Sequence, residues 1–585
     1  MDIPIPTTTS MTKVHVQQQA QLPRPRRRPH QVSFGKASLA LGIANVINLS
    51  AIPLKAYISE SFPWSMQPPQ LAIPLNATFD TYTAATHAYL ASLYNNQTMA
   101  PADIFSRDLS RNTFVLRYKL TLDPEDTHCL TSMLRFPGAF FYGLGTQALV
   151  CDFLAQNTST RQRTAPWISC QRDQLLGHPA VEVCTWIEAL DECDDVCWSP
   201  KYAVYHAGLL WESVAFAWVK LGLRCMLVGV IWRQLWVSYF SHYSSLIVNL
   251  KTLGLPRSGG GDDYVGDTTV SYVLHVGDPT WLILSHPFVS LAMVVDCFAS
   301  ASYMGVAGNR VSQVGDAVQF VLGCLYGSRL AWVAYLTMHV ASWPIKRWHL
   351  EEYFDPVDSG WMAISSSVYA GPIMWLATNS ILMVPFQGMF TFLVAAPLET
   401  SEISTGTLCF FALFGSAPLL HSYMLRRVHM FLARRHRREL DSFASMTKFN
   451  DLKQRVVLGS CRYIIYRGRD QVINNPPLVR NGGGGLHRLV ESHCQYKWRP
   501  LFCTRAADCF VECMNDHAAV EMIRLSLIHS LALPATSHCP CLHEDRSVCV
   551  LSNEACNSSN ENKIESSSPL SPCLHHAASN CPWLM

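Results

Sequence analysis

The residues with the most chemical leverage in this chain are charges set inside apolar runs. Asp296 and Arg329 each lie within a stretch of about twenty apolar residues, Lys220 lies within another, and Glu212 precedes Lys220 by two helical turns. A charge at bilayer depth costs about 3 kcal/mol on insertion scales, so such a group faces a partner or water. Asp296 and Arg329 stand about eleven and twelve residues from the two ends of the short loop joining their runs, so their heights agree within a few ångströms. A carboxylate–guanidinium pair between neighbouring antiparallel helices is therefore expected. Lys220 competes for Asp296, and Glu212, on the same helical face, is a partner for Lys220 itself. Such a set either fixes helix register or lines an ion or substrate path.

Other motifs carry less. Gly143-Leu144-Gly145 with Ala148 lacks the flanking strand–helix pattern of a dinucleotide loop and reads as a turn. The stretch Ser258-Gly259-Gly260-Gly261-Asp262-Asp263, with Asp267, lacks both the Lys-Ser/Thr of a phosphate loop and the spacing of a calcium loop, and reads as a linker. Downstream, Cys503, Cys509, Cys513 and Cys539-Pro540-Cys541 between His538 and His543 form no paired C-x-x-C framework. No paired intramembrane aspartates, His-rich cluster or Ser–His pair is apparent. No catalytic residue, cofactor, metal or nucleic-acid partner is therefore assigned, and the expectation is a non-enzymatic protein.

The elements that must position the charges are membrane spans. The 585 residues carry 49% hydrophobic and only 15% charged residues, with sixteen Trp and a formal charge of +2; the apolar residues gather into blocks of about twenty, the length that crosses about 30 Å of hydrocarbon. The blocks are 38–54, interrupted by Asn45, Asn48 and Pro53, then 208–231, 281–306, 318–343, 362–384 and 405–424. The first is read as an uncleaved signal anchor, because a long basic segment precedes it and no small-residue cleavage site follows. The apolar piece 387–396 is too short to span alone and is read as interfacial or re-entrant, or else as an extension of a tilted fifth span. Small residues recur at every fourth position in Gly323, Gly327 and Ala331, and in Cys297, Ala301 and Gly305, as close helix packing requires. Since Arg329 lies about 200° round from Gly327 and Asp296 almost opposite Gly305, the small faces are expected to pack on other spans if the charges meet.

Lys and Arg mark the cytoplasmic ends of spans. With 1–37 inside, the inside segments hold Arg24 to Arg28, Arg233, Lys251, Arg257, Lys346, Arg347 and the run Arg426 to Arg438, whereas the two short outside loops hold only Arg310. Segments 232–280, 344–361 and 425–585 are then cytosolic, and 59–205 is extracytoplasmic. The run Arg426 to Arg438 is placed to meet anionic lipid headgroups, and the tail from Ser552 reads as disordered.

Segment 59–205 suits an oxidising, glycosylating compartment. It contains the sequons at Asn76, Asn96 and Asn157 and six cysteines, Cys129, Cys151, Cys170, Cys184, Cys193 and Cys197, for which fifteen pairings are open; either Cys193 or Cys197 can reach back to Cys184. Residues 113–122 alternate strictly, with Phe114, Leu116, Tyr118, Leu120 and Leu122 on one face, which predicts a half-buried strand; 181–187 behaves similarly over a shorter run. The expected fold is a predominantly α-helical six-span bundle with a disulfide-containing α+β extracytoplasmic domain and a partly disordered cytosolic tail.

The stretch from the second to the sixth span, including Gly277-Asp278-Pro279-Thr280 ahead of Trp281 and the run around Asp296, resembles a large family of multi-pass membrane proteins from oomycetes for which no activity is known. The resemblance covers about half of the chain, implies the same bundle and transfers no functional residue. The expected role is binding at a cell surface or endomembrane, within the secretory pathway or plasma membrane, by an outer domain with an unidentified ligand. A transporter or channel using the intramembrane charges is the alternative. Replacing Asn76, Asn96 and Asn157 in turn by Gln removes one glycosidase-sensitive mobility step each; a variant that retains every step shows that its sequon is not used.

Overall fold

The computed structural model describes residues 30–67, 78–95, 97–100, 103–121, 144–157, 160–161, 167–189, 201–252, 271–277, 279–284, 286–311, 316–348, 350, 353–354, 357, 362, 371–372, 375–376, 400–436, 478–480, 507–515, 518–527, 542–545, 548–551 and 583–584. In chain order its first elements are β1 (Gln31–Phe34), α1 (Lys36–Ala51), α2 (Phe79–Leu93), β2 (Phe105–Asp108), β3 (Thr113–Thr121), α3 (Leu144–Ala155), β4 (Trp167–Leu175), β5 (His178–Ala189) and β6 (Lys201–Leu210). The helical half follows with α4 (Val214–Leu235), α5 (Ser241–Thr252), β7 (Ser271–His275), α6 (Pro287–Ala299), α7 (Ser302–Val311), α8 (Ala317–Gly327), α9 (Ala331–Arg347), β8 (Thr400–Glu402) and α10 (Ile403–His436). The C-terminal part contributes β9 (Leu478–Arg480), β10 (Ala507–Asn515), β11 (Ala518–Leu527), β12 (Leu542–Asp545), β13 (Val548–Leu551) and β14 (Trp583–Leu584).

One sheet, in the order β2-β3-β6-β5-β4-β8, is antiparallel except where β8 joins β4 in parallel. Its central strands are covered on both sides. Val115, Trp186, Tyr205 and Leu209 pack with Leu90 and Tyr94 from the α2 side, while Leu116, Ile187, Tyr202 and Val204 pack with Val150 and Phe153 of α3. The expectation of a half-buried strand at 113–122 is thus corrected: Thr113 to Arg117 are buried on both faces because β3 lies inside a layered α+β unit. The β4–β5 hairpin turns through Leu176 and Gly177, both with positive φ (52° and 76°), as a two-residue turn between twisted strands demands. Both turn N–H groups donate to the Glu402 carboxylate at 2.9 Å, which seats β8 beside β4.

Among the described residues three helices are long and apolar enough to cross a membrane, Val214–Val248, Ala317–Ile345 and Ile403–Val428, and the pair α6 and α7 counts as a fourth if a bent pair forms one span. Two predicted boundaries move. Residues 208–210 belong to β6 rather than to the second span, since β6 is buried along nearly its whole length and its apolar run is continuous with that of α4 in the sequence. The helix begins at Val214, where the Ser213 hydroxyl accepts from Phe216 N–H at 3.2 Å, and it runs past Ile231 through a π-turn into α5, so 232–280 includes helix and strand as well as loop. The predicted straight run 281–306 is instead bent by 84° between Ala299 and Ser302. Helix α1 covers only 16 residues and passes into a 3-10 turn, Pro53–Ile58. Segment 362–384 lies almost wholly outside the described residues, and 387–396 entirely so.

The bend also reverses the packing expectation for the small residues. A methyl on Gly323 would lie 2.9 Å from the Ala307 carbonyl oxygen and 2.9 Å from Val311 N, so α8 packs on α7 within the hairpin through that glycine. Gly305 has nothing within 4 Å of such a methyl and makes no close contact.

A second sheet brings together distant pieces of chain in the order β1-β7-β10-β11-β14, with β9 on β11. Cys509, Val511 and Cys513 alternate along β10 into a core with Tyr239, Tyr243 and Leu274. The expectation of disorder up to the C-terminus is corrected at its last residues. Trp583 is fully buried against Tyr239 and Tyr243, and its indole N–H donates to the His242 carbonyl at 2.9 Å.

Replacing Gly323 by Val should lower the thermal unfolding midpoint of the detergent-solubilised protein by several degrees, since the clash is with backbone, whereas Gly305→Val should shift it little; equal effects in tryptophan-fluorescence melts would refute the close α7–α8 contact.

Candidate functional site

The predicted charges converge where the first sheet meets the helices. Arg329, in the 3-10 turn between α8 and α9, hydrogen-bonds through Nη2 to Asp296 Oδ2 of α6. Lys220 Nζ on α4 lies 2.9 Å from Glu212 Oε1. Glu212 is not on the helical face expected for it: it sits in the link ahead of the Ser213 cap and reaches Lys220 from there. Lys220 does not take Asp296. That carboxylate is held from its other side by Arg224 Nε at 2.9 Å.

Two members escaped the sequence reading as partners. Arg224 follows Lys220 by one turn on the buried face of α4, and two cations on one face call for more acid than Asp296 provides. The acid is Glu60, at the end of the 3-10 turn that follows α1. Its Oε2 lies 2.9 Å from Lys220 Nζ and 2.8 Å from Arg224 Nη2, and its Oε1 lies 3.1 Å from Arg329 Nη1 and accepts from Tyr326 OH at 3.0 Å. Three carboxylates thus meet three cations, all at side-chain exposures of 6% or less. In such surroundings an unpaired charge is costly, and the six side chains sum to zero, with every carboxylate paired to at least one cation.

Hydroxyl and aromatic groups complete the cluster. Ser300, at the helix break, accepts from Arg224 Nη2 at 3.1 Å through its hydroxyl, and its carbonyl accepts from Tyr303 N–H at 3.0 Å and from Tyr326 OH at 3.5 Å. The Arg224 guanidinium stacks 4.8 Å from the Tyr57 ring centroid. Tyr303 OH donates to Glu212 Oε2 at 2.6 Å and accepts from Asn112 Nδ2 at 3.0 Å, which ties the start of β3 to the helices. Around this polar contact Phe114, Val181 and Leu210 of the sheet pack on Tyr303, Val306 and Tyr326.

Elsewhere, Cys170 and Cys184, directly opposed on β4 and β5, form a disulfide, so neither Cys193 nor Cys197 takes Cys184 as expected. Cys151 is also disulfide-bonded; Cys129, Cys193 and Cys197 lie outside the described residues. Asn157 is exposed, and Asn76 and Asn96 lie outside the described residues. Arg427 packs on Tyr423 and Tyr353, with ring centroids at 5.0 and 5.9 Å; Arg438 lies outside the described residues. A cavity of about 390 Å³ between α9 and α10, lined by Ala341, Ile345, Phe354, Leu419 and Tyr423 among others, is apolar and suits hydrocarbon better than chemistry.

Thr185 Oγ1 and His206 Nδ1 are 2.9 Å apart and resemble a nucleophile and its base, but they are 1% and 4% exposed in the middle of the sheet, and burial pushes the imidazole pKa down to about 4. No substrate reaches them there. Among the described residues no three His, Cys, Asp or Glu side chains lie together as a metal site. Comparison of the chain with protein-family models, with curated proteins and with solved structures finds no match.

Asp296→Asn and Arg329→Gln each leave the cluster with one unbalanced charge and should each cost about 3–5 kcal/mol. The double variant restores neutrality, with two acids and two bases, and should cost clearly less than the sum. Additive losses in unfolding of the solubilised protein would show that the pair is not coupled.

Proposed function

We propose that the chain is a non-enzymatic, multi-pass membrane protein of the secretory pathway or plasma membrane, in which six spans carry a rigidly docked extracytoplasmic α+β domain that binds an external ligand. The charge cluster carries this reading. Each of its carboxylates is engaged by at least two donors: Glu60 by Lys220, Arg224, Arg329 and Tyr326; Asp296 by Arg224 and Arg329; Glu212 by Lys220 and Tyr303. Carboxylates that are all held by cations favour a structural lock over a relay, and the contacts of Tyr303 to Glu212 and Asn112 join the sheet to the helices. The sheets support the proposed sidedness. Every strand of the second sheet comes from segments that the basic residues assign to the cytosol, and every strand of the first comes from the segments between outward-directed span ends.

A transporter is the second reading, favoured by the 84° break beside Asp296 and Ser300, because interrupted helices line substrate sites in transporters. The two readings separate on Asp296→Asn. For a lock, purified wild-type protein in liposomes passes no proton or ion current, and the variant shows reduced surface abundance and a lower unfolding midpoint. A variant with wild-type abundance and midpoint that has lost a wild-type flux would establish transport instead.

A further inference from the structure

Two more arginines enter the same junction without an acid among the described residues to meet them. Arg107, on β2, places its guanidinium 5.5 Å from the Tyr303 ring centroid, and Arg310, on α7, places its own 5.6 Å from the Phe105 ring centroid. Phe105 and Arg107 are alternate residues of one strand and share a face; Tyr303 and Arg310 are two turns apart on one helix and share a side. Strand face and helix side therefore cross with a cation and a ring from each, and both guanidinium groups lie in one interface. Arg310 is 7% exposed. Its Nη1 donates to the Ile58 carbonyl at 2.7 Å and to the Ser59 hydroxyl at 3.0 Å, both neutral, and Arg107 Nη2 donates to Asn112 Oδ1 at 3.2 Å, also neutral.

Three buried donor atoms remain without an acceptor: Nε and Nη1 of Arg107 and Nε of Arg310. No carboxylate among the described residues forms an ion pair with either side chain. The neighbouring acids Glu60, Glu212 and Asp296 are consumed by Lys220, Arg224 and Arg329, so among the described residues the junction holds three acids and five bases, a surplus of two positive charges. Burial by itself disfavours the charged form of Arg107. Uncompensated buried cations of this kind persist in proteins when something else brings the negative charge.

We infer that Arg107 and Arg310 bind an oxyanion of the phosphate class at the seam between β2 and α7, where it neutralises the surplus charge and takes up the orphaned N–H groups. Guanidinium groups suit such a ligand because they present several fixed donors to its oxygens. The phosphate belongs either to a free anion or to the headgroup of a phospholipid beside the helices. Either source would make attachment of the sheet to the helices depend on anion occupancy.

The experiment uses the full-length protein in detergent, stripped of lipid, in a background of gluconate at constant ionic strength, with tryptophan fluorescence reporting the unfolding midpoint. Inorganic phosphate is added in one arm and short-chain phosphatidic acid in the other. A saturable rise of several degrees with phosphate, absent in Arg107→Gln and Arg310→Gln, supports a free anion; a rise with the lipid alone, again absent in both variants, supports a headgroup. If Arg310→Gln does not fold, the half-buried Arg107→Gln carries the comparison. No rise in wild type in either arm, or a rise that survives in the variants, overturns the site.

Discussion

The interaction on which the rest of the structure depends is the burial of one carboxylate, Glu60, among Lys220, Arg224 and Arg329. Each cation sits on an apolar helix or the turn between two, where an unpaired charge is costly, and among the described residues Glu60 is the carboxylate that pairs with all three. Its position obliges the chain after α1 to turn inward through Pro53–Ile58 rather than leave the helices directly. That turn in turn offers Tyr57 to Arg224 and the Ile58 carbonyl to Arg310. One ion therefore organises the entry of the first helix, the register of α4 against α6, and the seat of the 3-10 turn between α8 and α9.

The sheet is coupled to this centre through few groups. Tyr303 stands between them: its hydroxyl joins Glu212 to Asn112, and Lys220 and Arg107 both lie within 5.5 Å of its ring centroid. The apolar contact of Phe114, Val181 and Leu210 with α7 and α8 supplies area, while the polar contact supplies orientation. The helix break at Ser300 follows from the same geometry. Bent, the chain turns the Ser300 carbonyl toward Tyr326 while it still accepts from Tyr303 N–H, and α7 packs against the sheet.

Much of this was legible in the chain where the relevant distance is short. Asp296 and Arg329 could be matched by counting residues from their shared loop, and Glu212 could be assigned to Lys220 even with the helix start misplaced, because a Lys side chain is long enough to cover the error. Glu60 was not legible, since it lies 160 residues from Lys220 and 269 from Arg329 and nothing local marks it. The start of α4 was misread for a physical reason: a strand buried on both faces and a buried helix show the same unbroken apolar run, and only the Ser213 cap separates them. In the tail, Cys509, Val511 and Cys513 alternate with a period of two, a strand signal carried by cysteines acting as small hydrophobes.

The depth of the charges explains why so large a buried network is tolerated. Taken as a spanning helix, α4 exposes Trp218 near one end and Trp232 and Trp236 toward the other, about 21 to 27 Å apart, as two interfacial aromatic belts would be. Lys220 and Arg224 then lie only about 3 and 9 Å below Trp218, in the half of the bilayer next to the first sheet. Glu60 is delivered to them by the turn Pro53–Ile58 at the end of α1, a helix of about 24 Å. A network at the bilayer midplane would have needed a charged loop to penetrate twice as far. The network lies where the sheet meets the helices, and the opposite half of these helices packs through apolar groups such as Leu227, Ile231, Met293 and Tyr335.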